Sequence, residues 1–273
     1  MKKMIFIPKK HILVSILMLI FLGNVLVIFP SFAQLKEIVK HQKKIKENLY
    51  ASCTEVSNKE YASFISSLKN SNSKSELQLA TIDSLQWRSK NSYNEPYVSY
   101  YHSHKAYEHY PVVNISYDAA VTYCNWLTKL YNEDEHRKFK KVKFRLPTVE
   151  EWEFAAKGNN SKFIYPWEGD KMQNEKGKMR ANFKRGNGDA NGVAAYLNEN
   201  ADITAPVNSY WPNSFGLYNM AGNVAEMTST ANSIKGGSWM DNAAQLKIAM
   251  NQSYDGNPKC YVGFRCFMEI IEK

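Results

Sequence analysis

APVNSYWPNSFGLYNMAGNVAEM, residues 205–227, is made almost wholly of turn-formers and short apolar pieces. Gly216 and Gly222 stand where tight turns demand backbone conformations that a Cβ resists. Neither a helical nor a strand period runs through the segment, so it reads as a run of tight turns. The same texture holds from Gly158 onward, with Gly, Asn, Asp and Pro punctuating every apolar piece. Roughly 100 residues with so little periodic structure need internal hydrogen bonds, disulfides or bound cations to hold their loops in place.

Upstream, the chain is more regular. Residues 144–158, FRLPTVEEWEFAAKG, read as a strand end and a capped helix. Pro147 precedes the helix, Thr148 caps it, Glu151 completes a capping box and Gly158 ends it. Arg145 is placed to pair with a carboxylate while Trp152 packs inward. Residues 116–131 form another helix, with Ser116 as N-cap and Ala120, Cys124, Leu127 and Tyr131 along one face. Residues 49–68 read as strand, turn and short helix, with Asn58 as the cap. The polar stretch 69–79, KNSNSKSELQL, reads as a loop. KGGSWM, residues 235–240, sets two glycines before a bulky ring and suits a close backbone crossing beside a cleft.

Five ordered blocks carry a resemblance: TEVSNKEYASF (54–64), YPVVNISYDAAVTYCNWL (110–127), the 144–158 and 205–227 segments, and KGGSWM with VGFRC (235–240, 262–266). Together they resemble the formylglycine-generating-enzyme (sulfatase-modifying-factor) superfamily across nearly all of residues 49–270. The resemblance implies an α+β fold of the C-type-lectin-like kind, low in regular secondary structure, with a groove over a loop-rich face. Active members oxidise a substrate cysteine to formylglycine, using two cysteines just after the KGGS block to hold copper, a soft-ligand site. Here those positions are Asp241 and Leu246. A carboxylate is a poor ligand for monovalent copper and Leu is none, so no copper is expected. A second branch of the superfamily uses iron on a His-rich helical domain, which this chain does not contain. Trp239, Asp241, Leu246, Asn251 and Arg265 are then expected to gather as a degenerate cleft.

The resemblance also implies calcium. The NxxGNxxE turn offers side-chain oxygens of Asn219 and Glu226 and backbone carbonyls of Gly222 and Val224, a set suited to a hard cation. A second family site would draw on Asn182, Phe183 and an acid, Glu199 or Asp202. Cys124 and Cys266 match a cysteine pair that is disulfide-linked in relatives. Cys53 and Cys260 are left over, either as a second bridge or as two buried free thiols. The chain has 273 residues and four cysteines, with no CxxC and no His at zinc spacing from any of them.

Residues 1–33 read as a targeting segment. Lys2, Lys3, Lys9 and Lys10 precede an apolar run from Ile12 to Phe29, then Pro30 and a small-x-small site ending at Ala33. Cleavage after Ala33 is the expectation; an uncleaved membrane anchor is the competing reading. The formal charge is +9, of which four belong to the lysines of this segment, so residues 34–273 are only mildly basic. That balance does not argue for nucleic acid. Residues 34–48 read as a basic helical lead-in to a single domain at 49–270. Residues 136–145, HRKFKKVKFR, read as a solvated strand edge guarded by lysines. His102 and His104 would share one face of a strand, with His109 following, a weak metal candidate. Residues 100–110 resemble the gliding-motility and type IX secretion lipoprotein branch, although the lipid-attachment cysteine is missing.

These readings converge on an exported scaffold or binding protein of the periplasm or cell envelope of a Gram-negative bacterium. It would have an envelope protein partner and touch the membrane only through its N-terminal segment. Two alternatives stand beside it: an enzyme with altered chemistry around Asp241, and a lectin-type peptide or glycan display module using Trp239 and Tyr254.

Overall fold

The computed structural model describes residues 34–88, 93–184 and 203–273. The first half of the chain holds α1 (34–40), β1 (Gln42–Lys46), β2 (Leu49–Ser52), α2 (Asn58–Asn70), α3 (Lys74–Leu79), α4 (Glu95–Tyr100) and α5 (Tyr117–Glu133). Then follow β3 (Lys141–Arg145), α6 (Val149–Lys157), β4 (Ala225–Met227), β5 (Ser233–Lys235), β6 (Gln252–Ser253), β7 (Val262–Gly263) and β8 (Phe267–Glu272). Among the described residues the α-helices all precede Gly158, and strands alone, of which β8 is the longest, follow it.

One antiparallel sheet has the order β1-β2-β8-β3. Its register sorts side chains by the two-residue period of a strand. Tyr50 pairs with Met268, which pairs with Phe144. This face meets Cys124, Leu127 and Tyr131 of α5, Phe64 of α2, and Leu35 and Ile38 of α1. Ala51 and Phe267 point the other way, onto Trp152, Ala155 and Ala156 of α6. Both faces are therefore covered. A second sheet, ordered β6-β5-β4-β7, has one parallel pair, β4 with β7, and supports the loop-rich half.

Four expectations are corrected. Residues 34–48 are not a lead-in: Leu35 and Ile38 are core, and residues 42–46 are an edge strand of the sheet. The cap of α2 is Ser57, whose side chain and that of Glu60 form a capping box, so Asn58 is the first helical residue. The 69–79 stretch contains α3. His102 and His104 lie in a turn after α4 and not on a strand.

The basic stretch 136–145 is also handled differently. The outer edge of β3 is not left to water. Asn132 of α5 accepts from Val142 N–H at 3.0 Å and donates to Val142 C=O at 2.9 Å. Thr128 Oγ1 accepts from Phe144 N–H at 2.8 Å, while its own hydroxyl hydrogen goes to Cys124 C=O at 2.8 Å. Two helix side chains thus stand in for a missing strand. Arg145 pairs with Glu151 (2.6 Å) and Glu269 (2.8 Å), and Trp152 is fully buried, as their block predicts.

Candidate functional site

The loop-rich half is fastened to the sheet by one guanidinium. Arg265 lies just before β8 and is completely buried. Its Nε donates to Glu226 Oε2 at 2.7 Å and its Nη2 to Glu226 Oε1 at 2.5 Å. The remaining N–H groups reach the carbonyls of Ser52 (3.1 Å), Cys53 (3.4 Å) and Tyr218 (2.8 Å). Trp152 Nε1 adds a 2.7 Å bond to Glu226 Oε2. Five elements of different sequence origin therefore meet on one ion pair. Arg265 does not join the expected cleft; it is a core residue.

Glu55, a residue the sequence reading did not single out, sits beside this pair. It is fully buried and accepts from Asn223 Nδ2 (2.9 Å) on one oxygen and Asn219 Nδ2 (3.2 Å) on the other. Burial pushes its carboxyl up to about 8, with Arg265 opposing the rise and Glu226 adding to it. The flanks of Glu55, ASCT before it and VSNK after it, carry no local mark of that burial. Asn223 completes the knot: its Oδ1 accepts from Ala205 N–H at 2.7 Å and its Nδ2 also reaches Ala205 C=O. Asn219 and Asn223 both hold positive φ, 51° and 63°, which Asn tolerates better than most residues. At Gly222 (φ 74°) a Cβ would fall 2.3 Å from Asn182 C=O, so only glycine fits.

The expected calcium ligands lie around this knot. Asn219 Oδ1 and Asn182 Oδ1 are buried and have no hydrogen-bond partner among the described residues. Asn182 Nδ2 donates to Ile203 C=O at 2.7 Å, and Phe183 is buried against Tyr165 and Leu246. Glu226 is engaged by Arg265 and Trp152, although Oε1 receives a single hydrogen bond. Glu199 and Asp202 lie outside the described residues.

The two positions that the resemblance sets opposite the copper cysteines, Asp241 and Leu246, are engaged in the scaffold. Asp241 Oδ2 accepts from Ser238 N–H (2.9 Å) and Ser238 Oγ (2.6 Å), and Oδ1 accepts from Gln252 Nε2 (3.0 Å). Its carboxylate closes a turn. Leu246 is fully buried with Tyr165, Ala181, Phe183 and Ala221. A Cβ on Gly237 would lie 2.8 Å from Leu246 Cδ1, so the leucine has filled the space beside the glycine pair. Trp239 stacks near Trp87 at 6.3 Å and donates to Cys260 C=O at 3.2 Å. Asn251 accepts from Ser233 Oγ. Tyr254 is buried and donates to Asn257 C=O. Each of the five expected cleft residues is thus spent on local structure, and Arg265 and Leu246 are inaccessible.

Cys124 and Cys266 Sγ atoms lie 3.5 Å apart as buried thiols, bringing together the pair expected from the resemblance. Cys53 faces Arg265, whereas Cys260 packs among Trp87, Tyr101 and Trp239. No sulfur contact joins those two among the described residues. Burial raises Cys53 and pushes Cys260 up to about 11, so both are poor thiolates. His102 pairs with Asn58 and Asn114, His104 with the Ala106 N–H, and His109 with Glu108. The three do not converge, and no cluster of three or more His, Cys, Asp or Glu occurs among the described residues.

The chain is 32% identical over 174 residues to inactive C-alpha-formylglycine-generating enzyme 2 of Bos taurus, covering 58% of this chain and 50% of that protein. It is 36% identical over 120 residues to the formylglycine-generating enzyme of Mus musculus, covering 44% of this chain and 27% of that protein. The match therefore spans half or less of the length of these relatives. Among solved structures, Treponema denticola variable protein 1 aligns at 18% identity and a TM-score of 0.49, covering 84% of this chain and 91% of that one. The family model of the sulfatase-modifying factor enzyme 1-like domain matches residues 17–270. Like the mammalian proteins it matches, active and inactive alike, this chain belongs to the sulfatase-modifying factor (formylglycine-generating enzyme-like) family.

Proposed function

We propose that this protein is a non-catalytic member of its family, an exported scaffold that holds a protein partner in a secretion or motility assembly of the cell envelope. One observation carries the loss of catalysis: the two positions that would ligate copper are Asp241, consumed by Ser238 and Gln252, and Leu246, buried in an apolar cluster. Soft monovalent copper finds no thiolate there. The inactive relative supports the reading, and the apolar N-terminal run supports export. The test incubates purified protein with copper, oxygen and a cysteine-containing sulfatase peptide. No formylglycine is expected by mass spectrometry, and its appearance would overturn the reading. Partner binding is tested by affinity purification from the native envelope in mild detergent. One or two near-stoichiometric envelope proteins are expected; bait alone argues against a scaffold.

The same reading includes calcium as a structural ion. Asn219, Gly222, Val224 and Glu226 would hold one ion, and Asn182 and Phe183 would contribute to a second. The unpartnered oxygens of Asn219 and Asn182 support this, because a buried carbonyl without a partner costs stability that a hard cation would recover. Bound there, calcium would satisfy the buried amide oxygens of Asn219 and Asn182 and stiffen the turns.

A further inference from the structure

A groove of about 360 Å³, lined by charged and hydroxyl-bearing side chains on aliphatic stems, lies between the outer side of α2's first turns and the turn 102–108. Its walls are fastened to each other. Lys59 N–H donates to Glu108 C=O at 2.9 Å, and Asn58 Nδ2 donates to the carbonyls of Tyr101 and Tyr107, each at 3.0 Å. Those two bonds orient the Asn58 amide, so its Oδ1 accepts from His102 Nδ1–H at 3.0 Å. Burial lowers His102 to about 3, which keeps the ring neutral and the lock closed at any physiological pH. The groove is held in shape without a ligand, which spares binding the cost of ordering it.

The lining has a distinctive chemistry. Lys59 and Lys105 stand on opposite walls, and neither forms an ion pair among the described residues. His104 Nδ1 accepts from Ala106 N–H at 3.2 Å, which leaves Nε2–H as an outward donor. Ser63, Ser66 and Ser103 each donate their hydroxyl hydrogen to a backbone carbonyl, of Lys59, Ala62 and Ser99. Their lone pairs therefore face outward as acceptors. Ser63 and Ser66 lie one helical turn apart, and the small Ala62 beside them leaves room. Glu108 is the one carboxylate on the lining against the two ammonium groups of Lys59 and Lys105, so cationic groups outnumber the anionic one.

We propose that this groove binds a polyhydroxylated monoanion of monosaccharide size, a hexuronate, with its carboxylate on Lys59, Lys105 and His104 Nε2–H. Its hydroxyls donate to Ser63, Ser66 and Ser103. Ammonium groups supply the anchor through charge-assisted bonds, and the serine row selects a sugar over a bare anion. The volume lies within the range of small-molecule sites. The site is independent of the copper positions and of the scaffold reading.

The test titrates the full chain at low salt with glucuronate, glucose, acetate and glucose 6-phosphate, followed by calorimetry and NMR shifts. Glucuronate is expected to saturate the protein about tenfold or more tightly than glucose or acetate. Lys59→Gln with Lys105→Gln should weaken it by about tenfold or more, and Ser63→Ala with Ser66→Ala should abolish the advantage over acetate. All four side chains are at the surface, and unchanged circular dichroism confirms folding. Glucuronate binding no tighter than acetate, or unaffected in the lysine pair variant, overturns the proposal. Tighter binding of glucose 6-phosphate overturns the monoanion assignment.

Discussion

Arg265 and Glu226 form a two-pronged ion pair wholly inside the protein, 2.7 Å from Nε to Oε2 and 2.5 Å from Nη2 to Oε1. Charges are costly to bury, so this pair stands only because every remaining donor of the guanidinium finds a carbonyl. Arg265→Met should destabilise the protein by about 3–5 kcal/mol in urea unfolding, because Glu226 is left charged and unpaired. Arg265→Met with Glu226→Met should recover part of that loss. A single variant within about 1 kcal/mol of wild type would show that the pair does not hold the core.

Glu55 makes stability depend on pH in an unusual direction. Its carboxyl titrates at about 8 in the folded protein and has an ordinary value of 4.5. Between those values the unfolded chain gives up the proton while the folded chain keeps it. The contribution of Glu55 is therefore fully present below pH 4.5 and declines as pH rises towards 8, by up to about 1.4 kcal/mol per pH unit. Denaturation midpoints measured across this window should show a falling component that disappears in Glu55→Gln. An identical slope in the variant would assign it to another group.

Asn132 satisfies both backbone groups of Val142 at the edge of β3. Asn132→Ala should cost about 1–3 kcal/mol and bare the edge to pairing with a second chain. Chemical denaturation reads the first effect and light scattering on mild heating the second. Asn132→Asp, which keeps only an acceptor, should show an intermediate loss.

Chelation should separate the calcium reading from a merely hydrogen-bonded turn. Removing divalent ions with EDTA should lower the melting temperature, and added calcium should restore it in a concentration-dependent way. Asn219→Ala should abolish that response while leaving the protein folded. A melting temperature indifferent to chelator argues that the Asn219 oxygen is stranded.

The buried thiols of Cys124 and Cys266 join residues 142 positions apart in sequence. Mild oxidation should link them and raise stability by about 4–5 kcal/mol, as expected for so long a loop. Thiol counting under denaturation should then find Cys53 and Cys260 still free. Loss of all four thiols would mean that the second pair also bridges.

The regular elements were legible because their signals are local. Thr148 and Glu151 announce a capping box within four residues, and the structure has it. The positive-φ glycines at 216 and 222 were readable for the same reason. What escaped was long-range. Glu55 meets Asn223 across 168 residues, and neither partner carries a mark of the other. Residues 34–48 were misjudged because lysines dominate β1, while the pairing with β2 that makes it a strand depends on a turn of two residues. Arg265 was placed in a cleft by the family pattern; its burial follows from the carbonyls of Ser52, Cys53 and Tyr218, which no motif records.

The position of β8 between β2 and β3 sets a timetable for folding. Leu49 pairs with Glu269 and Arg145 with Phe267, so the first sheet has no centre until residues 267–272 are available. A ribosome carrying residues up to 260 holds a hairpin, β1 with β2, and a lone strand with helices around them. Loop closure over such distances is slow, and the apolar faces of β2 and β3 must wait uncovered. Trimming the last strand would therefore leave β2 and β3 with no shared partner, and the first sheet would be reduced to the β1–β2 hairpin.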